Sequence, residues 1–275
     1  MKKTKIDNSD APLQTTLSKR LRLHPKKLAL IARDFNMEKN RGKGRFKSSK
    51  RGFDPFFPDI ARICSNAGCD VLLFSLWSND KSISNSLRKN QIFPQGTNHK
   101  AAIFEVTNST VDDSEKIAFW HRKNSTPTFF TQFFGKSNEK KRQKQFIAEV
   151  HNRILGPSFL IFCGETNIIR TKRGSKKIID DFNFLDILKT NGIRFLFNPI
   201  HNYMVRFEMK IKRAVLSQSG KYCISVWNRG MKKANEAKIP WTAFYNGEDI
   251  TYKIEEIANP IAEQPGVRIG VLKLK

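Results

Sequence analysis

Acidic residues are scarce in this chain: 25 Asp and Glu face 50 Lys and Arg among 275 residues, giving a formal net charge of +25. A field of that sign draws polyanions, nucleic acid first and an anionic membrane surface second, without specifying either. Cysteine is scarce too. The four present (Cys64, Cys69, Cys163, Cys223) form neither CxxC pairs nor zinc-finger spacing, which argues against a disulfide framework and a cysteine-based zinc module and fits a reducing, cytoplasmic compartment. No apolar run approaches the roughly 20 residues that span a bilayer, and the first residues lack the apolar segment of a secretory signal. A GxxxxGK[ST] loop is missing, and Gly42-Lys43-Gly44 lacks the strand–helix setting of a phosphate cradle. Neither HExxH, nor metal-spaced histidines, nor a carboxylate-rich Mg²⁺ site occurs. A metal-dependent nuclease is therefore disfavoured, and no cofactor or metal is expected.

What the chain has in quantity is apolar bulk. Hydrophobic residues make up 39%, with 22 Phe, enough for one large α/β domain with a substantial core. About half of the positive excess sits in Met1–Arg51, where 16 Lys and Arg meet four Asp and Glu. The rest lies in short patches at Lys136–Lys144, Arg170–Lys177, Arg206–Arg213 and Arg229–Lys238. Residues 1–27 read as a basic, flexible extension, and residues 28–275 as one domain with no internal boundary. Leu28–Phe35 and Val71–Trp77 read as buried strands, with an amphipathic helix over Pro55–Asn66 between them, the mark of a layered α/β sheet. Ala101–Val106 and Lys116–Arg122 alternate as adjacent strands do, and Asn138–Arg153 is a charged helix. Asp180–Leu188 is helical, and Ile193–Phe197 is a strand ending at Asn198-Pro199. Met204–Gln218 predicts a helix with Met204, Phe207, Ile211 and Val215 inward and Arg206, Lys210 and Arg213 outward. Strands are expected at Cys223–Trp227, Thr242–Tyr245, Ile250–Ile254 and Val267–Leu274, with a turn at Asn246-Gly247.

One strand end carries chemistry. The apolar run Phe159–Phe162 stops at Cys163-Gly164-Glu165. A strand fixes the backbone, the glycine allows a sharp turn, and the thiol is left at a cleft where it can act as a nucleophile. A free cysteine on such a strand can equally be a small buried apolar residue. The aromatic run Phe129–Phe134 (FFTQFF) reads as core or subunit interface, with base stacking beside Lys136–Lys144 as the other use.

Four strand ends together resemble the carbon–nitrogen hydrolase (nitrilase) superfamily over roughly Leu28–Lys275. Leu160–Glu165 (LIFCGE) is similar to that family's strand ending in Cys-x-Asp/Glu, and Phe195–Pro199 (FLFNP) to the strand ending in Asn-Pro. Lys212–Gly230 (KRAVLSQSGKYCISVWNRG) resembles its helix–strand unit, and Trp120–Lys123 (WHRK) the strand end that supplies its lysine. The resemblance implies a four-layer α-β-β-α sandwich and a cysteine hydrolase of amides or nitriles acting on a small or medium C–N substrate. Association into dimers or larger homo-oligomers is implied as well. By position, Cys163 is the nucleophile and Lys123 the oxyanion-stabilising cation. The family's general-base glutamate is absent: the second strand runs Phe74-Ser75-Leu76-Trp77, and its supporting glutamate finds only Gln132. Glu165 and His201 are the two residues that can replace the base. The alternative is a scaffold that has lost its base and holds nucleic acid on its basic surface.

Overall fold

The structure, a computed structural model, describes residues 22–39, 56–76, 93–107, 115–123, 127–172, 175–202, 207–230, 237–258, 260–262 and 266–275. Most of the expected N-terminal extension, the Gly42-Lys43-Gly44 loop, Trp77, Met204 and Arg206 lie outside them. The first strands in chain order are β1 (Lys27–Arg33), β2 (Val71–Phe74), β3 (Ala101–Thr107), β4 (Glu115–His121) and β5 (Thr128–Thr131). Then come β6 (Ile154–Leu155), β7 (Ser158–Leu160), β8 (Arg170–Thr171), β9 (Ile178–Ile179) and β10 (Phe195–Asn202). The last are β11 (Tyr222–Asn228), β12 (Trp241–Tyr245), β13 (Glu248–Asp249), β14 (Glu255–Ile257) and β15 (Val267–Lys273). Helices α1 (Phe35–Lys39), α2 (Phe57–Asn66), α3 (Lys140–Ala148), α4 (Phe184–Thr190) and α5 (Phe207–Leu216) connect or cover them.

Strands such as β1 (KLALIAR) are apolar on both faces because both faces are covered. Leu28, Leu30 and Ala32 point one way, into a core shared with Leu73, Ile103, Phe119, Leu160, Phe197 and Ile224. Ala29 and Ile31 point the other way, against Phe57, Ile60 and Cys64 of α2. A third apolar layer joins Phe146, Phe184, Leu188 and Leu216 of the other helices to Phe159, Leu196 and Cys223. Helix, sheet, sheet, helix is thus the layering, the α-β-β-α sandwich anticipated. One sheet has the order β14-β15-β1-β2-β3-β4-β5 and the other β13-β12-β11-β10-β7-β6.

The parallel strands set the position of the site. β1, β2 and β3 are parallel in one sheet, and β7, β10 and β11 in the other. Asn228 at the end of β11 ties the two sets together. It accepts the Arg33 N–H at 2.9 Å and the Ser75 hydroxyl at 2.5 Å, and donates to the Leu76 carbonyl at 2.6 Å. Leu76 N–H in turn donates to the Ile200 carbonyl at 3.2 Å. All these strands therefore finish at one end of the sandwich, where α/β folds place their chemistry.

Three expectations are corrected. The face of α5 that is buried carries Met209, Lys212, Arg213 and Leu216, while Phe207 is 65% exposed. Arg213, expected in solvent, donates from Nε to Ser225 Oγ at 3.2 Å and stacks over Trp227, so hydrogen-bonding opportunity outweighs the apolar stripe. Ile250–Ile254 is not a strand: after Asn246-Gly247 the chain returns along β12 only as the two-residue β13, and Thr251–Lys253 forms a 3-10 turn. Leu23, assigned to the extension, is buried and hydrogen-bonded to Leu155.

His121, at the end of β4, gives the fold a pH dependence. Burial, with Lys123 and Lys100 nearby, holds its imidazole below the ordinary value, and Lys123 N–H donates to its Nδ1 at 3.2 Å. The unfolded chain binds a proton near pH 6.5 that the native state declines. Stability is therefore expected to fall as pH drops below about 6.5, by at most ~1.4 kcal/mol per pH unit for this group. Urea unfolding at pH 7 and pH 5.5 checks it: His121→Gln is expected to flatten the difference.

Candidate active site

The site starts where β7 ends. Leu160 pairs with Phe197 of β10, and Ile161 N–H donates to the Phe197 carbonyl at 3.0 Å. Asn198 Nδ2 then donates to the Ile161 carbonyl at 2.8 Å, its Oδ1 accepts from Ser225 Oγ at 3.0 Å, and Ser225 is held by Arg213. This buried chain from α5 through β11 and β10 fixes the backbone two residues before the thiol. It explains why the Asn-Pro strand and the Lys-Arg helix belong to one unit. Beyond Phe162 the chain enters a 3-10 turn over Cys163–Ile168.

Cys163 itself has φ +28°, a left-handed backbone that a side chain rarely adopts. Such outliers cost about 1–3 kcal/mol and cluster where a reactive group must be aimed. The residue is half-buried and packs against the inter-sheet core. Gly164 is required for another reason than its dihedral angles: a Cβ there would run into the Gly135 carbonyl oxygen.

Glu165 is fully buried and does not border the cleft as a base. Its Oε1 accepts the Phe133 N–H at 2.8 Å and Arg153 Nη2 at 3.0 Å, and its Oε2 accepts the Phe162 N–H at 2.9 Å. Arg153, 2% exposed, also donates to the Thr131 carbonyl at 2.7 Å and lies over Phe162 at 4.2 Å and Phe130 at 5.2 Å. Burial pushes the Glu165 carboxyl up, against the pull of Arg153 and the two N–H groups. The role of this carboxylate is structural, since it pins β5, the 3-10 turn and the Arg153 segment to one another. Phe130 and Phe134 of the aromatic run are core, as expected, while Phe129 is 49% exposed.

Lys123 is not brought to Cys163. β4 runs antiparallel to β3, with Ala101 opposite His121, so the end of β4 lies where β1–β3 begin. Cys163 lies where the parallel strands finish, a strand length of roughly 20 Å away at ~3.3 Å per residue. The pattern Trp-His-Arg-Lys matched a strand end, but strand direction reverses its location. Lys123 is exposed there. Besides Arg153, the structure ties Lys212 of α5 to the thiol's turn: it is 5% exposed, and its Nζ donates to Asn167 Oδ1 at 2.7 Å. At the end of β2, where a base glutamate was sought, the buried Ser75 binds Asn228 instead.

His201 is brought to the right end. Past the Leu160–Phe197 pair, one chain enters the Cys163 turn and β10 continues through Ile200 to His201. The Cys163 turn packs on β10. Across the sandwich, His201 Nε2 meets Glu105 Oε1 of β3 at 3.2 Å. Glu105 is 2% exposed and escaped the sequence reading, though a signal existed: in Ala101–Thr107 it occupies the same face as Ala101 and Ile103, where the pattern calls for an apolar residue.

No protein-family model and no curated protein matches the chain. Solved structures of the amidase from Nesterenkonia sp. AN1, of the nitrilase superfamily, are similar in fold. A glutamate-to-glutamine mutant of it, with acrylamide added at its active-site cysteine, is 10% identical with a TM-score of 0.51, covering 90% of this chain and 93% of that one. A cysteine-to-serine mutant has the same identity and TM-score over 90% and 91%. A glutamate-to-leucine mutant, bearing the acetamide moiety of fluoroacetamide on its active-site cysteine, gives 0.50 at 10% identity over 90% of each.

Proposed function

We propose that this chain, which has the fold of the carbon–nitrogen hydrolase (nitrilase) superfamily, is a divergent cysteine-dependent hydrolase of a small or medium non-peptide amide or nitrile. The observation that carries the reading is Cys163: half-accessible, in a left-handed backbone, at the end where the parallel strands finish. A free thiol with pKa about 8.5 is only a few per cent ionised at neutral pH, so acyl transfer needs a proton acceptor. His201 is the acceptor in this reading. Lys212, tied to the same turn, supplies positive potential there in place of Lys123.

Sγ–H gives its proton to the imidazole as sulfur bonds to the amide carbon. The imidazolium then protonates the departing nitrogen as the C–N bond breaks, leaving a thioester. Water, losing a proton to the imidazole, displaces the sulfur, and the thiolate recovers that proton. The products are an acid and an amine.

Acrylamide and fluoroacetamide, which add to the active-site cysteine in glutamate mutants of the Nesterenkonia amidase, are the direct probes. Native protein incubated with either, then digested and analysed by mass spectrometry, is expected to carry the adduct at Cys163 and to form it faster than urea-unfolded chain. Lys123→Ala is expected to leave the rate unchanged. Equal rates in native and unfolded protein would overturn the reading.

A second reading rests on charge. The exposed Lys136, Lys140, Lys141, Arg142 and Lys144 line one surface around α3 in a chain of net charge +25. Nucleic acid held there would bind with an affinity falling steeply as salt rises. Fluorescence anisotropy with a labelled single strand at 50 and 200 mM NaCl tests it: binding absent at the lower salt removes this reading. The two readings are compatible.

A further inference from the structure

We infer that Glu105 is the positioning residue for the proton acceptor of Cys163, so that a cysteine on the turn after β7, a histidine on β10 and a glutamate on β3 replace the glutamate and lysine expected by resemblance. The inference rests on the hydrolase reading above. It deepens that reading by naming how the imidazole is oriented and charged.

The geometry supports it from both sides of the sandwich. Glu105 is on β3 of one sheet and His201 on β10 of the other, and the two meet at 3.2 Å between Oε1 and Nε2. Both residues are far from random placement. Glu105 is 2% exposed on a strand whose same-face neighbours are Ala101 and Ile103, and a carboxylate in such a position is retained only when it is bound. His201 stands on β10 four residues beyond Phe197, which pairs with Leu160 at the end of β7, three residues before Cys163. The turn that carries Cys163 packs on β10, the strand that carries the ring, at the end where the parallel strands finish.

The chemistry follows from the tautomer. With Nε2–H donating to Glu105, Nδ1 is the nitrogen that takes the thiol proton. The carboxylate stabilises the imidazolium that forms and keeps the ring from turning. It does not take the proton itself. A carboxylate in this role favours the protonated ring, so the imidazole can take up the proton that the thiol gives. Ser75 at the end of β2 needs no carboxylate in this scheme, which accounts for the glutamate missing from that strand.

The test is the pH dependence of Cys163 alkylation by iodoacetamide, followed by mass spectrometry from pH 5 to pH 9 in the full chain. Wild type sets the reference inflection, in the native and in the urea-unfolded chain. Glu105→Gln is expected to move that inflection upward and to slow alkylation at pH 7 about tenfold, and Glu105→Asp to restore part of the rate. His201→Asn is expected to show a similar loss, and the double variant Glu105→Gln/His201→Asn no further loss, since the two act through one proton. A Glu105→Gln profile superimposed on wild type overturns the inference. Should that variant not fold, a wild-type profile for His201→Asn overturns it instead. Failure of the hydrolase reading looks different: wild-type Cys163 would then be alkylated with a free-thiol inflection and no faster than in unfolded chain.

Discussion

Glu165→Gln is expected to destabilise the protein by about 3–5 kcal/mol, the usual consequence of removing one partner from a buried ion pair. The change is almost isosteric, so the loss reports charge and hydrogen bonding rather than packing. Both carboxylate oxygens of Glu165 accept from donors: Phe133 N–H and Arg153 on one, Phe162 N–H on the other. A glutamine must point its NH₂ group at one of these sets, donor against donor, and leaves the Arg153 guanidinium buried without a counter-charge. Arg153→Met is expected to cost a similar amount. The double replacement Arg153→Met/Glu165→Leu is expected to recover part of it, because no charge remains buried. Recovery stays incomplete because the Phe133 and Phe162 N–H groups lose their acceptor, at ~1–3 kcal/mol each. Urea unfolding followed by circular dichroism gives all three values. A single-variant loss under about 1 kcal/mol would mean that the pair does not hold the turn.

This pair also shows how far the sequence could be read. The layering was legible because it rests on strands apolar on both faces and on an amphipathic helix: Leu28–Phe35, Pro55–Asn66 and Val71–Trp77 each found their element within a few residues. Cys163 at a strand end was legible for the same reason, since the apolar run stops where the turn begins. Partners distant in sequence were not. Glu165 lies two residues from Cys163 in the chain, and proximity made it look like a base. Its partner, however, is Arg153, and that contact depends on how the 3-10 segment Val150–Arg153 folds back over Phe130 and Phe162. Lys123 failed on strand direction. A motif of four residues has no sense of whether its strand runs with or against its neighbours, and β4 runs against β3. Glu105 failed by omission, because a lone carboxylate in an apolar strand shows its meaning only when His201, 96 positions later in the chain, arrives opposite it. On α5 the hydrophobic period misplaced the buried face, since Arg213 finds Ser225 and Trp227 beneath the helix and is buried by them.

Gly164→Ala is the second large effect expected, and it acts on the thiol without touching it. A Cβ at Gly164 would meet Gly135 Cα at 2.5 Å and Gly135 C at 2.7 Å, with the Gly135 carbonyl oxygen closer still. Every one of these is a backbone atom, so no side-chain rotation can make room. The turn or the Gly135 segment must move. The turn resists, since Glu165 is bonded on both oxygens and Asn198 holds Ile161 from the other side. Overpacking of this kind costs about 1–3 kcal/mol, occasionally more. The larger effect falls on reactivity. Cys163 precedes the clash, its backbone already sits at φ +28°, and a shift of ~1 Å at a reacting group can lower a rate by about a hundredfold. Alkylation of Cys163 at pH 7 is therefore expected to fall by one to two orders of magnitude, by that same principle, while the chain still folds cooperatively. Gly135→Ala is the matching control across the contact: its Cβ would meet only Gln132 Nε2, at 3.8 Å, an ordinary contact. If Gly135→Ala slows the thiol as much as Gly164→Ala does, the close approach of the two segments is not what aims Cys163. If only Gly164→Ala does so, the glycine after the cysteine is there to let the turn lie against its neighbour.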